Sequence, residues 1–195
     1  MNGDRPDIKS FQEKYVSDIR GYLDCLRGWD LEYFVNAIKG IQGTTRKVIL
    51  IGNGGSALNA AHFAMGLSIV TKKWARPIRT VCLSEHAAQI TSIGNDYSFE
   101  DVYSKQLEVH LDREDILVIF SSSGNSRNLI KAARYARSKG SPVICFLGGS
   151  GGELADLCTK KYHVPVVSKD PGQAEDIHMI AGHIVTQYIE YHLDA

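Results

Sequence analysis

The sequence has no charge of one sign to spare: 22 Lys and Arg face 22 Asp and Glu, a formal net charge of zero. A uniformly basic surface of the kind nucleic acid attracts is therefore excluded, although a local patch is not. Cysteine is scarce, and the four present (Cys25, Cys82, Cys145 and Cys158) form no CxxC pair. Neither a disulfide framework nor a zinc-finger site is expected from them. Cys82 and Cys145 lie in apolar runs and read as small core hydrophobes. No apolar stretch approaches the roughly 20 residues of a membrane span. Residues 1–10 are polar and lack the apolar centre of a signal peptide. There is no internal repeat, low-complexity segment or linker. The expectation is one cytoplasmic domain over 1–195, with helices over 1–44 and an α/β core with its C-terminal helix over 45–195.

What is present alternates in a regular way. Residues 8–27 carry apolar positions at helical spacing, and Asp30 reads as the N-cap of a second helix through Ile41. The two helices precede any strand, so they must cover the sheet's flank or another subunit. Short β-branched runs follow at 47–51, 78–83, 116–120 and 143–147, each between turn residues and helical segments. Continuous apolar runs of this kind suit strands buried on both faces, hence a parallel sheet layered by helices. Residues 162–167 make a weaker fifth strand, and Pro165, which cannot donate to a ladder, places it at an edge. Helices are expected at 56–68, 86–94, 98–110, 127–139, 151–158 and 173–193. The fold class is α/β: a doubly wound, flavodoxin-like five-stranded parallel sheet of order 2-1-3-4-5.

Two strand-to-helix loops stand out. The first is Gly52-Asn53-Gly54-Gly55-Ser56, and the second is Ser121-Ser122-Ser123-Gly124-Asn125-Ser126. In a doubly wound sheet both lie at the carboxyl ends of strands, where ligands bind. Glycine lets backbone approach closely, helix N-termini offer unpaired N–H groups and partial positive charge, and serine hydroxyls add compact donors. Either loop alone is equally well read as ordinary N-cap and turn chemistry. Two in equivalent places point to a cradle for a compact anion. Neither is a Walker A sequence or a GxGxxG fingerprint, so a monophosphate is expected rather than a nucleotide or organic cofactor.

GNGGS after one strand and SSSGNS after a later one resemble the SIS phosphosugar-binding family. So do Ala61-His62-Phe63-Ala64, Gly94-Asn95-Asp96, and Glu175-Asp176-Ile177-His178 followed by His183. In this combination the chain is similar to the phosphoheptose isomerases and to the related DnaA initiator-associating factors. The resemblance implies homotetramers with sites at subunit interfaces. It implies Ser56, Ser121, Ser122, Ser123 and Ser126 as phosphate contacts, with Asn53, Gly54 and Asp96 also substrate-binding. It implies His183 as acid/base, and zinc at a constellation matching His62, Glu175 and His183. The substrate it implies is sedoheptulose 7-phosphate or a similar sugar phosphate, interconverted between ketose and aldose.

The chain departs from that pattern. The family's helix glutamate falls at Gly66 and its arginine at Val70, while its glutamine falls at Glu175. A carboxylate relocated from position 66 to Glu175 would restore an acid/base partner for His183. The alternative reading is a phosphosugar-binding regulator or scaffold without turnover, which has a protein partner. Glu175 and His183 lie eight residues apart, about 12 Å along a helix, whereas Asp176 and His183 share a face. His178, amid Ile177, Ile180 and Ile184, reads as a core histidine; His86, His110, His163 and His192 read as surface or loop residues. Lys72-Lys73-Trp74-Ala75-Arg76 reads as a solvated loop rather than a nucleic-acid contact, and Ser122, with no neighbouring base, as a donor rather than a nucleophile.

Overall fold

Five runs rich in β-branched residues pair as parallel strands because both faces of each can be covered by helices. The computed structural model describes residues 7–166 and 171–192. It places β1 (Lys47–Ile51), β2 (Arg79–Cys82), β3 (Ile116–Ser121), β4 (Val143–Leu147) and β5 (Lys160–His163) in the order β2-β1-β3-β4-β5. All neighbours are parallel, with Val48 opposite Thr80 on one side and Ile116 on the other. The order matches the expected 2-1-3-4-5. β5 begins two residues before the expected run and ends before Pro165, while Val167 falls outside the described residues.

The helices are α1 (Ile8–Leu23), α2 (Leu31–Gly40), α3 (Gly55–Val70), α4 (Ala87–Asp96), α5 (Ser104–His110), α6 (Arg127–Ser138) and α7 (Gly172–His192). Asp30 caps α2 by accepting from Tyr33 N at 3.2 Å. Three expectations need correction. The first helix stops at Leu23 and tightens into a 3-10 turn over Asp24–Gly28. The expected helix at 98–110 divides into a 3-10 turn at Phe99–Asp101 and α5. Residues 151–158 form only a 3-10 turn at Glu153–Asp156, because Gly151 and Gly152 take positive φ and Leu154 N donates outside the segment, to Gly124 O at 3.0 Å.

The alternation of β1 divides the core. Val48 and Leu50 face α2, α3 and α7, while Ile49 and Ile51 face α5 and α6. α3 and α7 run side by side in the same direction: Ser56 meets Glu175, His62 meets His183, Gly66 meets Thr186 and Lys73 meets the Glu190 carbonyl. α1 buries none of its residues and docks on α7 through Tyr15 Oη, which donates to Asp176 at 2.6 Å, and through Asp18, which accepts from Gln173 at 3.2 Å. Trp74 is buried in the core, so the basic loop offers no exposed aromatic ring for stacking on a base. Cys145 and Cys158 are joined as a disulfide, which corrects the reading of Cys145 as a free core thiol. Cys25 and Cys82 stay free. Among the described residues no helix is long and apolar enough to cross a membrane.

Candidate active site

The first loop ends β1 and opens α3. Gly54 occupies the N-cap position without a side-chain cap, leaving the first N–H groups of α3 directed into the space beyond β1. The Glu175 carboxylate, from the first turn of α7, lies against Gly55 at this helix start. A Cβ on Gly55 would overlap that carboxylate, so glycine is required there by approach rather than by φ. Buried Ser56 donates toward Glu175 Oε1 at 3.4 Å, and Asn59 Nδ2 donates to the Glu175 carbonyl at 2.9 Å. An anion thus already sits on the positive end of α3, as the helix dipole favours.

The second loop ends β3 and opens α6. Ser121 Oγ accepts from Gly124 N at 3.0 Å, and Ser123 Oγ accepts from Asn125 N at 3.2 Å. Because both oxygens receive a backbone N–H, both hydroxyl hydrogens stay available to donate to a ligand. Ser126 is the N-cap of α6 and makes no side-chain cap bond. Gly124, at φ 68°, presses so closely on the Gly151 carbonyl that no side chain fits. Ser122 passes its backbone against Gly148.

The two loops are tied to each other. Asn53 Nδ2 donates to Asn128 Oδ1 at 2.9 Å, and Asn128 Nδ2 returns a bond to Asn53 Oδ1 at 3.0 Å. Tyr103 Oη donates to the Gly52 carbonyl, which Ser84 Oγ also reaches at 2.9 Å while accepting from Gly52 N at 3.0 Å. Burial raises the pKa of the Tyr103 hydroxyl and keeps it a donor. Asn128, Tyr103, Ser84 and Asn59 escaped the sequence reading. A signal for Asn128 existed, since asparagine favours helix starts over interiors; Tyr103 and Ser84, distant in sequence, left none.

Farther along the same helices, His62 Nε2 and His183 Nε2 stand 2.8 Å apart, so one ring carries the proton that the other accepts. His183 is exposed and lines a groove between α1 and α7 that Tyr15, Ile19 and Asp176 share. The structure therefore brings His62 and His183 together, and Glu175 together with Ser56, but does not unite the two pairs within one chain. Six residues separate Ser56 from His62 and eight separate Glu175 from His183, about 9 and 12 Å of helix rise. Among the described residues no three His, Cys, Asp or Glu side chains gather in a group able to hold a metal ion; within one chain His62 and His183 meet, and Glu175 lies apart from them beside Ser56. Asp96, exposed at the end of α4, is bonded only to Ser92 and Asn95 among the described residues, and no hydrogen bond links it to either loop.

His178 is fully buried beneath the site against Phe120 and Phe146. Burial pushes its pKa down to about 4, opposed in part by the Leu147 backbone.

The SIS domain family matches residues 30–148 of this chain. The chain is 38% identical over 144 residues to a phosphoheptose isomerase of Rhodospirillum rubrum, covering 74% of this chain and 76% of the relative. It is 34% identical over 144 residues to that of Aquifex aeolicus, with 74% of each chain covered. A solved phosphoheptose isomerase from Francisella tularensis superposes with a TM-score of 0.85 at 25% identity, covering 95% of this chain and 99% of the other. One from Neisseria gonorrhoeae gives 0.79 at 26% identity, covering 93% and 97%.

Proposed function

This chain belongs to the SIS-domain family, and on that premise we propose that it is a phosphosugar isomerase that interconverts sedoheptulose 7-phosphate, or a similar ketose phosphate, with the corresponding aldose. The observation that carries the reading is the arrangement along α3. A two-loop anion cradle lies at the helix start, and a hydrogen-bonded histidine pair lies about 9 Å further along it. That span is comparable to an extended seven-carbon sugar with its phosphate in the cradle and its carbonyl end at the histidines.

Aldose–ketose isomerisation moves a proton between adjacent carbons and shuttles protons on their oxygens, which needs an acid and a base within reach of both. His183 and His62 already share a proton, and they serve here as that pair. Ser121, Ser122, Ser123, Ser126 and Ser56, with Asn53 and Gly54, hold the phosphate end, and Asp96 is assigned to the sugar on the family resemblance alone. Glu175 acts at the phosphate end of its own chain. The assembly proposed is a homotetramer. The exposed apolar residues of α1, α3 and α7, among them Phe11, Ile69, Tyr188 and Tyr191, suit burial between its copies. Zinc, if bound, would be held by the His62 and His183 imidazoles, which are suitable donors to it, and no step is assigned to it. The setting proposed is the cytoplasm.

The test is incubation with sedoheptulose 7-phosphate, with and without added zinc, followed by NMR of the products. Appearance of the aldose supports the isomerase. Absence of turnover with any heptose, hexose or pentose phosphate overturns it. Retained binding would then favour a non-turning-over phosphosugar regulator, the reading to which Gly66, without a carboxylate, lends support.

A further inference from the structure

The first loop is backed by an amide network whose geometry goes beyond what a phosphate cradle requires. Asn128 is 2% exposed, in the first turn of α6. Its Oδ1 accepts from its neighbour's backbone, Leu129 N, at 2.9 Å, as well as from Asn53 Nδ2. A side-chain amide can be turned end for end unless a partner of fixed polarity holds one edge. Leu129 N–H can only donate, so it fixes the Oδ1 edge of Asn128. Through the reciprocal pair it also fixes both edges of Asn53. Tyr103 Oη stands 3.4 Å from Asn53 Oδ1, with its one hydrogen directed to the Gly52 carbonyl. Asn53 itself is only half-buried. With one Nδ2 hydrogen on Asn128, the second is the donor it has left among the described residues.

We propose that Asn128 is a positioning residue for the phosphosugar site. It holds Asn53 with an amide N–H, rather than a carbonyl, facing the cleft between the two loops. The cleft then selects, at that point, a ligand oxygen able to accept a hydrogen bond. The orientation stands on the free protein alone; only the identity of the ligand rests on the phosphosugar reading.

Two measurements test this. In the free protein, the side-chain amide protons of Asn53, assigned by their loss in Asn53→Ala, should show one proton protected from exchange and one unprotected. That asymmetry should vanish in Asn128→Ala. In calorimetric titration with sedoheptulose 7-phosphate, Asn128→Ala and Asn53→Ala should each weaken binding about tenfold, the scale of one well-placed hydrogen bond. The double variant should bind no more weakly than Asn53→Ala alone, because Asn128 acts through Asn53. Asn128→Ser, which keeps a short acceptor for Leu129 N–H but cannot span to Asn53, should match Asn128→Ala and covers the case in which the alanine variant unfolds. Unchanged Asn53 protection in the Asn128 variants, or additive losses in the double variant, would overturn the proposal. If wild-type protein binds no sugar phosphate but the Asn53 asymmetry is present and depends on Asn128, the positioning role stands and the phosphosugar reading falls.

Discussion

At the scale of single residues, the account separates two ends of the site. His183→Ala removes the exposed member of the histidine pair and should lower kcat by a factor of roughly 10² to 10⁴, the range for loss of a general acid or base. Glu175→Gln should behave differently. It removes a carboxylate from the start of α3, where a bound phosphate would meet a like charge. The glutamine variant should bind sugar phosphate more tightly and keep kcat within about tenfold, well short of a lost acid or base. A collapse of kcat in Glu175→Gln comparable to that in His183→Ala would instead place this carboxylate at the reacting carbons. His178 gives a prediction in pH. Its folded-state pKa of about 4 lies below the usual 6.5, so its contribution is fully present above pH 6.5 and is lost as pH falls toward 4. Urea denaturation should show wild type losing up to roughly 3 kcal/mol more than His178→Leu across that window. Parallel pH profiles for the two proteins would contradict it.

At the scale of elements, the α3–α7 pair decides whether the histidines meet. A Cβ on Gly182 would stand 3.3 Å from the Phe63 ring, so Gly182→Leu should overpack the contact and cost about 1–3 kcal/mol by chemical denaturation. It should also reduce turnover, because His183 is the next residue. What the sequence disclosed at this scale follows from burial. β1, β3 and β4 were legible because strands covered on both faces are apolar throughout. β5, an edge strand containing Lys160 and Lys161, carries no such run and was placed two residues late. The 151–158 segment, expected as a helix, keeps only a 3-10 turn at Glu153–Asp156. Two adjacent glycines at positive φ and a bond from Leu154 N to Gly124 turn it into a wall of the second loop. The Cys145–Cys158 link and the Asn53–Asn128 pair join residues 13 and 75 positions apart. Their pairing depends on which side chains face each other between elements, and local sequence does not encode that.

At the scale of the whole molecule, both loops lie where the carboxyl ends of neighbouring strands β1 and β3 diverge into helices, the switch point at which open α/β sheets bind ligands. The loop residues could be named from sequence because this topology was legible. The separation of Glu175 from His183 was legible too, as eight residues of helix. What could not be read was which end of the ligand each would meet, since that depends on α7 lying alongside α3 in the same direction. The central claim is that the cradle between residues 52–56 and 121–126 holds the phosphate of the substrate. Calorimetric titration of sedoheptulose 7-phosphate into wild type and into a Ser121→Ala, Ser123→Ala, Ser126→Ala triple variant tests it most directly. Each lost bond to an ionised group is worth roughly 1.5–3 kcal/mol, so the account predicts that binding by the folded triple variant falls below detection. Undiminished binding by that variant would contradict it.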